Sequence, residues 1–92
     1  MKEVILDGKK ILTESSFHEE MKNKLDLPDY YGKNLDALWD CITGEIELPI
    51  RIIWQDSNES KSGLDNNFYN KAIELFHEAE DELDELFNFE LK

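Results

Sequence analysis

NLDALWDCITGEIELPIRIIW, residues 34–54, places a helix directly before a strand, and that succession decides the class of the fold. Leu35, Leu38, Trp39 and Ile42 fall at i, i+3, i+4 and i+7, which is one apolar face of a helix. Asn34 is a good N-cap, and Gly44 suits the position just past the C-cap. Ile50 to Trp54 (IRIIW) is rich in β-branched and aromatic residues, as a buried central strand is. Upstream, Val4-Ile5-Leu6 before Asp7-Gly8 reads as a short strand ending in a turn. Ser15 or Ser16 caps a helix that runs to about Leu25, with Phe17, Met21 and Leu25 as its buried stripe. Pro28 to Lys33 is a loop carrying Tyr30, Tyr31 and Gly32. Downstream, Asp56 to Asn67 reads as a polar loop with room for a short helical turn. Tyr69, Ala72, Ile73, Phe76, Ala79 and Leu83 then repeat at helical spacing. Phe87 to Leu91 alternates as a strand does. The order strand, helix, helix, strand, helix, strand predicts an α/β domain: three parallel strands with a helical layer.

The whole chain, 1–92, reads as one small domain. Its 40% hydrophobic content is enough for a core, and 10 basic against 22 acidic residues leave a net charge of −12. That balance argues against direct binding of nucleic acid, which needs a Lys/Arg footprint, and against anionic membranes. It favours a basic partner. The longest apolar run near the N-terminus, Val4 to Leu6, is too short for a signal peptide, and no stretch approaches a membrane span. Cys41 is the single cysteine, so no internal disulfide forms, which fits a reducing compartment and a cytoplasmic location. On that reading Asn58-Glu59-Ser60 is a chance glycosylation triplet.

Three groups could carry function. Asp36 and Asp40 are i, i+4 neighbours on the second helix and lie away from its apolar face. Like charges at that spacing repel, and Asp40 stands near the helix C-terminus, where the macrodipole disfavours an anion. A solvated polar face explains the pair about as well as a binding role does. Tyr30, Tyr31 and Trp39 form the second group. Tyr31 is expected in the core, Trp39 at the border of the apolar and acidic sectors, and Tyr30 in contact with a partner. The third group is the acidic C-terminal helix and the stretch after it, Ala72 to Leu91, with Glu74, Glu78, Glu80, Asp81, Glu82, Asp84, Glu85 and Glu90 and no Lys or Arg. Most of these belong to a solvated face.

Catalysis has little support. Carboxylates working as acid and base need a pocket that separates their pKa values. Cys41 has no histidine tied to it, and its place beside Ile42 suits a packed thiol. His18 and His77 lack metal-ligand spacing, and no Gly-rich phosphate cradle is present. Asp56-x-Asn58-x-Ser60 starts like a calcium loop, but Lys61 stands at position 6 and Asn67 at position 12, so it is rejected. No metal and no cofactor is expected.

At residues 27–44, LPDYYGKNLDALWDCITG, the chain closely resembles the barstar family of bacterial intracellular inhibitors of barnase-type ribonucleases. The resemblance extends over nearly the whole chain: the opening strand with Asp7-Gly8, Leu48-Pro49 before the central strand, and Phe76-x-Glu78-Ala79 in the last helix all have counterparts. It implies a three-stranded parallel sheet with helices packed on it, a cis Leu48–Pro49 bond, and a monomer that binds a small basic extracellular-type ribonuclease one to one and plugs its active site. Asp40 would be the central anion in the nuclease's phosphate site, and Asp36 would pair with an arginine at its mouth. Tyr30 would lie against a catalytic histidine, and Asn34, Leu35, Trp39, Thr43 and Gly44 would supply packing and hydrogen bonds. Glu78 would reach the rim from the last helix. Charge mimicry agrees with this, because carboxylates on a preformed helix can occupy phosphate positions and opposed charges speed encounter.

Three departures from the family pattern stand out. Glu45 replaces a tryptophan, so an aromatic contact is lost and an anion gained at the binding face. The family's second cysteine, near the end of the last helix, is absent. The glycine that ends that helix is missing from Asp81 to Glu85, which leaves the register of the last strand open. Two other readings compete with the ribonuclease inhibitor: an immunity or interaction protein for a different basic toxin or nucleic-acid-binding protein, which Glu45 favours, and an enzyme using Asp36 and Asp40, which would need a closed pocket.

Overall fold

The computed structural model describes all 92 residues. Its elements are β1 (Lys2–Asp7), α1 (Glu14–Leu25), α2 (Leu35–Gly44), β2 (Ile50–Gln55), α3 (Ser57–Gly63), α4 (Asn66–Leu83), a 3₁₀ turn (Asp84–Leu86) and β3 (Phe87–Leu91). The sheet order is β1-β2-β3 and both pairings are parallel, so the α/β reading with a central IRIIW strand holds. Val4 pairs with Ile52 and Leu6 with Trp54, while Ile52 pairs with Phe89, which fixes the register of the last strand.

One face of the sheet makes the core. Val4, Leu6, Ile50, Ile52, Trp54 and Phe87 point into it and meet Phe17, Met21, Leu38, Ile42, Phe76 and Ala79 from the helices. Trp54 is fully buried, with Tyr69 and Phe76 edge-on to its ring. The opposite face is charge-paired: Arg51 of β2 bridges Glu3 of β1 at 3.7 Å and Glu90 of β3 at 2.8 Å. The two outer strands are also tied to helices. Glu20 of α1 accepts the Asp7 N–H at 2.9 Å, and Glu80 of α4 accepts the Phe89 N–H at 3.0 Å.

The structure corrects the sequence reading at three places and fills in a fourth that it left open. The N-cap of α1 is Thr13, not Ser15 or Ser16. Thr13 Oγ1 accepts the Ser16 N–H at 3.0 Å, and Ser16 Oγ accepts the Thr13 N–H at 2.9 Å. This is a reciprocal capping box in which serine stands where Glu or Gln is the recognisable signal. Second, Gly44 is the last residue of α2 rather than a left-handed residue beyond it. The helix closes through Glu45 (φ −124°, ψ −31°), with the Glu45 and Ile46 N–H groups both on the Cys41 carbonyl at 2.9 and 3.0 Å.

Third, most of the polar segment after Asp56 is helical, as α3. Its inward side is Ser57 and Ser60 rather than apolar residues. Ser60 Oγ accepts the Trp54 Nε1–H at 2.9 Å and donates to the Gly8 carbonyl at 2.8 Å. Gly8 permits that approach, since a Cβ there would lie 2.3 Å from the Gln55 and Asp56 carbonyl oxygens. Fourth, the missing glycine after α4 is replaced by Asp84, which takes φ 50°, ψ −127° before the turn into β3. The Leu48–Pro49 bond is cis, as the family resemblance implies.

Candidate partner-binding face

α2 is the centre of the face. Asn34 Oδ1 accepts the Ala37 N–H at 2.7 Å and its amide donates to the Gly32 carbonyl at 3.4 Å, so the side chain fixes the start of the helix. Leu38 and Ile42 are fully buried and Cys41 nearly so, which anchors one side of α2 to the core. Cys41 is the packed thiol expected from its position. Burial raises its pKa, with the charges of Glu45 and Asp40 adding to the effect. The inward anchoring turns Asp36 and Asp40 to the solvent side, and both are exposed. Neither makes an ion pair with any Lys, Arg or His of the chain. They stand on an open helix surface.

Aromatic groups flank the acids. Tyr31 is buried and its hydroxyl hydrogen-bonds to His18 Nδ1, which pins the 28–33 loop to α1. Its neighbour Tyr30 is thereby turned outward and, at 76%, is the most exposed large hydrophobic residue of the chain. The Tyr30 hydroxyl donates to Glu45 Oε1 at 2.9 Å. That hydrogen bond, with the Glu45 charge behind it, raises the Tyr30 pKa. Trp39 and Leu35 are half-buried at the border of the core, as their spacing predicts. Thr43 is half-buried, and its hydroxyl donates to the Trp39 carbonyl at 2.8 Å, a bond inside the helix.

The neighbouring helix completes the surface. Leu35, Asp36 and Trp39 of α2 line a groove with Lys71, Glu74, Leu75 and Glu78 of α4. Glu78 therefore shares this groove with Trp39. Lys71 was not singled out in the sequence, and Glu74 was noted there only as one acid of the last helix. Their signal is the 71, 74, 78 spacing, one stripe of α4 that shares its side with Glu78. The structure thus brings Leu35, Asp36, Trp39 and Glu78 to one groove, continuous along α2 with Asp40, Thr43 and Gly44. Tyr30 and Glu45 stand together at the C-terminal end of the helix.

The family profile described as "Barstar (barnase inhibitor)" matches residues 1–92. A protein of Bacillus subtilis (strain 168) named "Putative ribonuclease inhibitor YrdF" is 39% identical over 87 residues, covering 95% of this chain and 94% of its own length.

Proposed function

The chain belongs to the barstar family, and from that premise we propose that it inhibits a basic, barnase-like ribonuclease by binding it one to one across the active site. The observation that carries this reading is the pair Asp36 and Asp40, exposed on a helix anchored in the core and making no ion pair within the chain. A ribonuclease site built to hold RNA phosphates offers Arg, Lys and His at phosphate spacing. Carboxylates already fixed on α2 can take those places with little ordering cost. Tyr30 lies over the catalytic histidine, and Trp39 with Glu78 contacts the rim. The protein acts as a monomer in the cytoplasm, where its unpaired Cys41 stays reduced.

The test is titration of the purified protein into barnase while RNA cleavage is followed. A one-to-one loss of activity is the expected result. Undiminished cleavage at excess protein, repeated across a panel of basic ribonucleases, would overturn the reading in favour of a different basic partner.

A further inference from the structure

We propose that Glu45 is a positioning residue that clasps Tyr30, and that the clasp selects partners presenting a cationic hydrogen-bond donor, not an apolar pocket, at the C-terminal end of α2. The inference rests on the partner-binding reading of this face. Glu45 sits where its local surroundings are unfavourable. It follows α2 directly, so the helix dipole opposes its charge, and Asp40 stands five residues before it. No Lys, Arg or His of the chain pairs with it. Its one side-chain partner is the Tyr30 hydroxyl at 2.9 Å, fifteen residues away in the chain. The bond joins two exposed groups, so it contributes little to the core, but it does fix the direction in which a 76% exposed phenol points.

Two consequences follow for anything that covers the face. The phenol is held before contact, so less side-chain freedom is lost on binding. The hydroxyl, already donating to Glu45, is left as an acceptor, and Glu45 Oε2, which accepts no hydrogen bond within the chain, is exposed beside it. Covering these acceptors with an apolar surface strips water from a carboxylate and returns nothing, whereas an Arg or Lys supplies donors to both. Glu45 therefore acts in both directions, favouring one class of partner and disfavouring another.

The experiment has two arms. In the first, the phenols of the free protein are titrated by ultraviolet absorbance in the wild type, Tyr30→Phe and Glu45→Gln. The transition lost in Tyr30→Phe should lie above the ordinary tyrosine value of about 10, and Glu45→Gln, which keeps an acceptor but removes the charge, should lower it. An unmoved transition refutes the clasp. In the second, barnase affinity is compared for the wild type and Glu45→Trp, which restores the aromatic residue of the family pattern. Glu45→Trp should bind barnase at least about tenfold more tightly, one decade being about 1.4 kcal/mol. Equal affinity refutes the selectivity. If neither protein binds barnase while the phenol shift is intact, the barnase-like reading falls and the clasp stands. If barnase binds but the phenol does not move, the clasp alone falls.

Discussion

Asp40 is the residue whose placement makes least sense for folding alone. It stands in the last turn of α2, where an anion opposes the helix dipole, and no basic residue of the chain relieves it. Asp40→Ala should leave thermal stability unchanged or raised by about 0.5 kcal/mol. The same change should weaken ribonuclease binding by about 2–5 kcal/mol or more, a scale set in part on the barnase–barstar pair itself. Calorimetric binding and melting on one preparation check both; a destabilised protein with intact affinity refutes the assignment. His18 makes a different prediction. It is 2% exposed, between the Phe17 and Phe68 rings and hydrogen-bonded to Tyr31. Burial lowers its pKa; the charge of Glu14 opposes the shift and that of Lys33 adds to it. Below the unfolded value of about 6.5, the unfolded chain binds the proton first. The stability from neutral His18 is therefore complete above that pH and is lost as pH falls, by at most about 1.4 kcal/mol per unit. Urea midpoints between pH 7.5 and 5 should decline, and His18→Gln should flatten that decline.

Among the elements, legibility in the sequence followed the presence of an apolar stripe. α2, α4 and the central strand could be read because Leu38, Ile42, Phe76, Ala79, Ile52 and Trp54 recur at a helical or strand period and are buried for that reason. α3 could not, because its inward residues are Ser57 and Ser60, polar groups held by hydrogen bonds to atoms far off in the chain. Helix α2 and its exposed acids were legible for the same reason as the core, since an apolar face implies the opposite one. The Tyr30–Glu45 bond was not, because it depends on where Tyr31 anchors a loop. Two substitutions test the parts that the sequence left unread, the inward side of α3 and the end of α4. Ser60→Ala leaves the Trp54 indole N–H without a partner in the core and should cost about 1–3 kcal/mol. Asp84→Gly should stabilise the fold by about 1 kcal/mol, since φ 50°, ψ −127° is a region that glycine occupies without strain. A lower melting temperature for Asp84→Gly would show that the side chain has a role at the turn.

On the scale of the whole molecule, the net charge of −12 acts at a distance. If it steers encounter with a basic ribonuclease, stopped-flow association should slow steeply as ionic strength rises to about 0.15 M, where the Debye length is roughly 8 Å. A flat rate would remove long-range steering while leaving the contact chemistry intact. The carboxylates of Glu20 and Glu80 bear on a separate matter, the fate of many copies in one place. Each occupies a peptide N–H on the outward side of an outer strand, at Asp7 and at Phe89. A three-stranded sheet is otherwise a template to which a fourth strand, from any unfolded neighbour, can be added. With a helix-borne acceptor already seated in each row, an incoming strand meets an occupied donor and a negative charge. These two side chains therefore work against edge-to-edge joining of copies, and crowding the protein need not turn its sheet into a seed for fibres.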